Sequence, residues 1–179
     1  QAELKTKVLT GSDRVRDKND NVIGYWNGVA RDRDGDDLSP FRDESVYRAV
    51  LRDRATGDII DLTPSEQTIV QANPKDGLPQ ILAQRKVRNI EVLLRYDPKL
   101  DIRGEDLALA EAGRDQDLRP AIHFSMKGDG ISKMGQLTSA FRERKLAIVF
   151  DNYLLSAPTI QSQITDRGQI TGRFSVEEV

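Results

Sequence analysis

Leu146-Ala147-Ile148-Val149-Phe150-Asp151-Asn152-Tyr153-Leu154-Leu155-Ser156-Ala157-Pro158 is the stretch on which the fold turns. Leu146 to Phe150 is the longest uninterrupted apolar run in the 179 residues. A run of that length bounded by turn residues reads as a strand buried on both faces. Asp151-Asn152 reads as a tight turn, because Asn tolerates the left-handed region. Tyr153-Leu154-Leu155 returns, and Pro158 breaks the run. Downstream, Thr159 to Thr165 alternates, with Ile160 and Ile164 on one side. Asp166-Arg167-Gly168 turns the chain, and Gln169 to Phe174 alternates again. Upstream, an apolar stripe of Ile131, Met134, Leu137 and Phe141 predicts a helix over 130–143, capped by Asp129. Before it, Arg119 to Met126 predicts a strand with Ile122 and Phe124 on one face and His123 on the other. Strand, helix and several strands in that order predict α+β, with helices on one face of a mainly antiparallel sheet.

The first hundred residues are read less completely. Val15-Arg16-Asp17 and Val22 to Trp26 flank a polar turn and predict a hairpin. Val46 to Leu51 and Asp58 to Leu62 flank Ala55-Thr56-Gly57 and predict a second one. Residues 31–44 read as a solvated loop, and 72–80, with Pro74, Gly77 and Pro79, as another. Ile90, Val92 and Leu94 alternate within Val87–Tyr96 and predict a strand. Residues 101–119 are polar and carry no clear period. Of the 56 charged residues, 43 lie in 1–120, so the later segment is the more core-like.

Composition removes several functions. Lys plus Arg is 27 and Asp plus Glu is 29, a balance unlike the basic excess of a nucleic-acid binder. No apolar run approaches the about 20 residues that span a bilayer. The absence of cysteine excludes disulfides and thiolate metal sites. The single histidine, His123, excludes a multi-His metal site and reads as a surface or interface residue rather than a general base. Asp32, Asp34 and Asp36 occupy positions 1, 3 and 5 of a calcium loop, but Asp37 stands where Gly is needed and Asp43 where Glu is needed. Arg31 and Arg33 also offset the charge, so this cluster reads as a solvated loop. Gly128-Asp129-Gly130 lacks the third glycine of a phosphate-binding turn, and Asp129 would repel phosphate; it reads as a tight strand-to-helix turn. Carboxylates are abundant, but nothing selects a pair for hydrolysis. No catalytic, cofactor-binding or metal residue is therefore assigned, and a binding or mechanical module is expected. Ser175-Val176-Glu177-Glu178 has capping-box spacing four residues before the last, so the native chain is expected to continue.

Several stretches carry a family resemblance. They are Pro120 to Phe124, the helix from Gly130 to Leu137-Thr138, and Leu146 to Asp151. Ser156-Ala157-Pro158-Thr159-Ile160, Ile164, Gly168, Ile170-Thr171-Gly172 and Phe174 to Glu178 follow, with Gly104-Glu105-Asp106-Leu107 ahead. Over 101–179 this pattern resembles the periplasmic part of the SecD family of bacterial protein export, including SecD–SecF fusions. Asn152 stands where that family usually has Gly. The resemblance implies a ferredoxin-like base, of which 101–179 would be the C-terminal half, and a β-rich inserted head over 1–100. It implies a non-enzymatic translocase module at the periplasmic face of the inner membrane, aiding proton-driven export by holding an unfolded preprotein. Implied partners are the preprotein, SecF and the SecYEG channel, with no nucleic acid and no cofactor. Membrane contact would come only through transmembrane helices absent here. Preprotein contact residues remain unassigned; an exposed sheet edge or apolar groove is expected. The alternative is an independent soluble peptide- or ligand-binding α+β domain. If half a base is missing, the strands of 119–174 should leave an open edge.

Overall fold

The computed structural model describes residues 13–31 and 49–171. The expected features in the Asp32–Asp37 cluster, at 46–48 and from Gly172 to Glu178 lie outside those residues. Strands β1 (Arg14–Arg16), β2 (Val22–Val29) and β3 (Leu51–Asp53) come first. Helices α1 (Pro64–Ala72) and α2 (Gly77–Gln84) follow, then β4 (Ile90–Arg95). A 3-10 turn at Gly104–Asp106 leads into β5 (Leu107–Arg114), β6 (Pro120–Met126) and helix α3 (Asp129–Ala140). Strands β7 (Ile148–Phe150), β8 (Tyr153–Ser156) and β9 (Arg167–Thr171) close the described chain. This is α+β, as the pattern predicts.

The chain forms two compact units: residues 1–96 with 147–157, and residues 97–146 with 158–179. The first holds a six-stranded sheet in the order β3-β4-β2-β8-β7, with β1 also on β2. β2 is the axis. One edge pairs antiparallel with β4. The other is shared: β1 takes Val22 to Tyr25 and β8 takes Gly28 and Val29, in parallel. One face packs against both helices, joining Val29, Leu51, Ile90, Val92 and Leu154 to Val70, Leu78, Ile81 and Leu82. The opposite face carries a smaller cluster around Val15 and Trp26.

The loop expected over 72–80 is corrected: α1 ends at Ala72 and α2 begins at Gly77. Pro64 and Pro79 fall in first turns, where the missing N–H has no intrahelical partner to lose. Thr63 and Glu66 form a reciprocal capping box at the start of α1. Arg85, past the end of α2, bonds Glu66 and the Asp61 carbonyl, joining the two helix ends.

The second unit is a three-stranded antiparallel sheet, β5-β6-β9, with Phe124 and Met126 packed on Met134 of α3 and on Ile164 and Ile170. The helix buries Gly130, Met134, Gly135 and Thr138; Ile131, expected inside, is exposed. Thr159 to Thr165 is not the expected strand. Its backbone turns to the helix end instead: Ile164 N–H donates to the Thr138 hydroxyl at 2.9 Å, and Ile160 N–H to the Arg144 carbonyl at 2.9 Å. Its β-pairing is confined to an isolated antiparallel bridge between Thr159 and Lys145.

The larger correction concerns the stretch quoted first. The described strands of 119–171 do not build one sheet. The Ile148–Ser156 hairpin enters the first unit's sheet, while β6 and β9 pair in the second. Leu154 alone goes into the core; Val149 and Phe150 are exposed, not buried on both faces. β7 is the end strand, so it has no strand beyond it among the described residues. The turn is as expected: Asp151 and Asn152 have φ of 48° and 64°, the pair of left-handed residues that a two-residue hairpin of this twist requires.

Candidate functional site

The sheet face opposite the helices in the first unit carries a continuous row, one residue per strand. Register places Arg52 of β3 beside Glu91 of β4, Glu91 beside Gly28 of β2, Gly28 beside Tyr153 of β8, and Tyr153 beside Phe150 of β7. Side-chain contacts hold the row from Arg52 to Tyr153. Arg52 Nε donates to Glu91 Oε2 at 2.6 Å, both side chains being nearly buried. The Arg52 guanidinium also lies 4.5 Å over the Trp26 ring. Arg54 approaches Glu91 Oε1 at 3.7 Å and donates to the Tyr153 hydroxyl, a bond that raises the Arg54 pKa. Gly28 is required in the middle. A Cβ there would lie 2.6 Å from Tyr153 Cε1, so the ring fills the space a side chain would take. The charged end of the row is thus closed, and the apolar end is open. Of the eight large apolar residues left exposed among the described residues, four, Val149, Phe150, Tyr153 and Leu155, lie on this one hairpin. Phe150 is 66% exposed. Such a concentration on a short end hairpin marks a candidate contact surface.

The other candidates resolve as structural. His123 Nε2 lies 3.0 Å from the Arg114 carbonyl, and its ring covers Gly113 of the neighbouring strand, where a Cβ would meet Cδ2 at 2.4 Å. Gly128 has φ of +54° and turns the chain into α3. Gly130 packs its backbone on Asp106, whose Cβ would be 2.6 Å from an added one. Asp106 accepts from the Arg103 N–H at 2.9 Å and from Lys133 Nζ at 3.1 Å, which together hold its carboxyl below the usual range. The Gly-Asp-Gly turn thus seats the helix on a buried carboxylate rather than on a phosphate. Among the described residues no group of three or more His, Asp or Glu stands close enough to hold a metal ion. No helix among them is long and apolar enough to cross a membrane. An open depression of about 790 Å³ beside α2 is lined by Leu82, Val87, Lys86 and Arg88 among others.

Residues 79–179, which include the hairpin and all described residues of the second unit, match the family model described as SecDF, P1 head subdomain. The chain belongs to the SecDF P1 head family. It is 46% identical over 77 residues to the protein translocase subunit SecD of Aquifex aeolicus, covering 43% of this chain and 15% of that protein. It is 34% identical over 127 residues to the SecD of Leptotrichia buccalis, covering 67% of this chain and 31% of that one. A crystal structure of SecDF from Thermus thermophilus, described as a translocon-associated membrane protein, is 38% identical, with a TM-score of 0.37, over 41% of this chain and 10% of that one. The chain therefore spans less than a third of the length of these SecD relatives. The head description falls on residues for which the resemblance had implied the base.

Sequence reasoning pointed to the SecDF family through Ser156-Ala157-Pro158 and its neighbours but missed the row of the open face. Arg52 and Glu91 each looked like one more charge in a charge-rich segment. The signal available was alternation: Glu91 sits between Ile90 and Val92 in a strand buried on both sides, and so does Arg52 beside Leu51. A charge in a two-face-buried strand needs a partner on the next strand.

Proposed function

We propose that this chain is a periplasmic module of a SecD-type export protein, which assists preprotein passage across the bacterial inner membrane by binding or holding the emerging chain. In this reading it performs no catalysis. The parent protein works with SecF, separate or fused, and with the SecYEG channel, and draws on the proton gradient through transmembrane segments. The observation that carries the reading is the family match over residues 79–179. The exposed apolar hairpin supports the chain-holding part, because an unfolded segment offers apolar side chains and unpaired backbone, and the hairpin offers the same. Membership of the SecDF family takes the place of the alternative of an unrelated ligand-binding domain. A periplasmic part divided in two near residue 100 belongs to the same reading, with 147–157 counted with the first part.

The test uses a strain depleted of its own SecD and rescued with the full-length parent of this chain. Processing of an exported precursor should return to the undepleted level. A parent protein that reaches the membrane yet leaves precursor accumulating as in the depleted strain overturns the reading.

A further inference from the structure

We infer that the outer edge of β7 is a strand-addition site, at which an extended, uncharged polypeptide segment pairs with Ile148 to Phe150 through main-chain hydrogen bonds. The inference rests on the chain-holding reading above and names where it acts. A sheet edge carries unpaired N–H and C=O groups, and only another strand satisfies them along their length. The described residues contain several edges, and they differ. β3 is closed: Ile60 N–H donates to the Leu51 carbonyl and Asp53 N–H to the Asp58 carbonyl, each at close to 2.9 Å, so residues 58–60 cover it. β5 carries Glu111 and Arg114, and β9 starts at Arg167 and continues through Gln169; charge and polarity guard both. β7 reads Ile-Val-Phe, with no charge and, among the described residues, no strand beyond it.

Register sharpens the choice of occupant. Val149 pairs with Leu154, on the helix-covered side of the sheet, and Phe150 pairs with Tyr153, on the other. Both are exposed. An incoming strand has side chains alternating between the same two sides, so it meets Val149 on one and Phe150 on the other. Acidic or basic segments gain nothing from such an edge and lose hydration, whereas an apolar segment gains on both sides. The ladder is three residues long, so contact is brief and tolerant of sequence, as holding a passing chain requires.

The test places a photo-crosslinking amino acid at Leu155, on the hairpin, or at Leu109, on β5, in the full-length membrane protein, with an arrested export precursor. Val149→Lys blocks the edge, and Ile131→Lys, an equally exposed change on α3, controls for charge. Crosslinking from Leu155 that falls at least five-fold with Val149→Lys and is unchanged with Ile131→Lys is the expected result. Crosslinking from Leu155 that ignores Val149→Lys overturns strand addition. Crosslinking from Leu109 alone overturns the β7 site and leaves the export reading standing. Crosslinks between two copies of the protein, with none to the precursor, make the edge a self-association surface and overturn the inference. An absence of crosslinks at both positions, with precursor processing unaffected by depletion, overturns the export reading as well.

Discussion

Glu91 answers two guanidinium groups at once, and only one of them is buried. Arg52 sits at 2.6 Å with little access to water, while Arg54 sits at 3.7 Å and is half exposed. Asp13, 3.3 Å from Arg52, is itself exposed and offsets little. Among the described residues Arg52 Nη1 and the nearby Trp26 Nε1 have no hydrogen-bond partner, so the buried Arg52 charge rests mainly on Glu91. Removing one member of a buried pair leaves an uncompensated charge, whereas replacing both with apolar groups removes the desolvation cost too. Glu91→Leu should therefore destabilise the first unit by about 3 kcal/mol. Adding Arg52→Met should recover most of that loss. Trp26 is the only tryptophan and touches Arg52, so urea unfolding followed by its fluorescence reads the effect directly. In the second unit, Asp106 gives a pH dependence. Its pKa is lowered by the Arg103 N–H and then by Lys133, so the folded state favours the carboxylate. The stability this confers is complete above the unfolded value of about 4 and is lost as pH falls through the lower folded value. Asp106→Asn should lower the thermal midpoint at neutral pH, and the difference from the parent should close on acidification through that window. A constant difference down to the lowest pH would contradict the assignment.

The helix pair shows how an element can be legible and still be missed. Thr63-Pro64-Ser65-Glu66 has the capping-box spacing with Pro at the first helical position, yet Pro74, Gly77 and Pro79 drew attention as breakers. All the signals were local: the capping box starts α1, and Pro79 is tolerated in α2, which has no side-chain cap, because first-turn N–H groups are unbonded anyway. Thr63→Ala should cost about 1 kcal/mol, measured by urea unfolding, because it leaves the Glu66 N–H without its acceptor. The hairpins fared better. β1–β2 and the Asp151-Asn152 turn follow from alternation and turn chemistry, which are properties of a few adjacent residues. Partnering does not. Nothing in Ile148 to Ser156 states that its neighbour is β2, over a hundred residues earlier, because period-two alternation names a face and not a sheet. The same gap hid the open-face row, whose members meet only across strands. Thr138 illustrates a third kind of miss: its hydroxyl donates to the Met134 carbonyl at 2.7 Å and accepts from Ile164, and so replaces a strand by a side-chain anchor.

The two units are not consecutive lengths of chain. Residues 147–157 leave the second unit's sequence, complete the first unit's sheet, and return. A boundary drawn near residue 96 therefore separates β2 from β8, and with it removes Leu154 from a core shared with Val29, Ile90 and Val92. Loss of a fully buried Leu alone costs about 2–5 kcal/mol, and the cut also frees the β2 edge at Gly28 and Val29. A fragment of residues 1–96 should thus unfold at markedly lower urea than the full 179 residues, with Trp26 as the probe in both. Fusing residues 147–157 to it through a flexible Gly/Ser linker should restore most of the midpoint, because the hairpin needs only reach and the right register. The same fusion carrying Leu154→Ala should not. If 1–96 alone matched the whole chain, β8 would be a passenger on the sheet, and the hairpin would be free to move as a separate arm. If the fusion restores stability, the hairpin is anchored at Leu154 on one strand and open at β7 on the other, which is the arrangement a chain-holding edge requires.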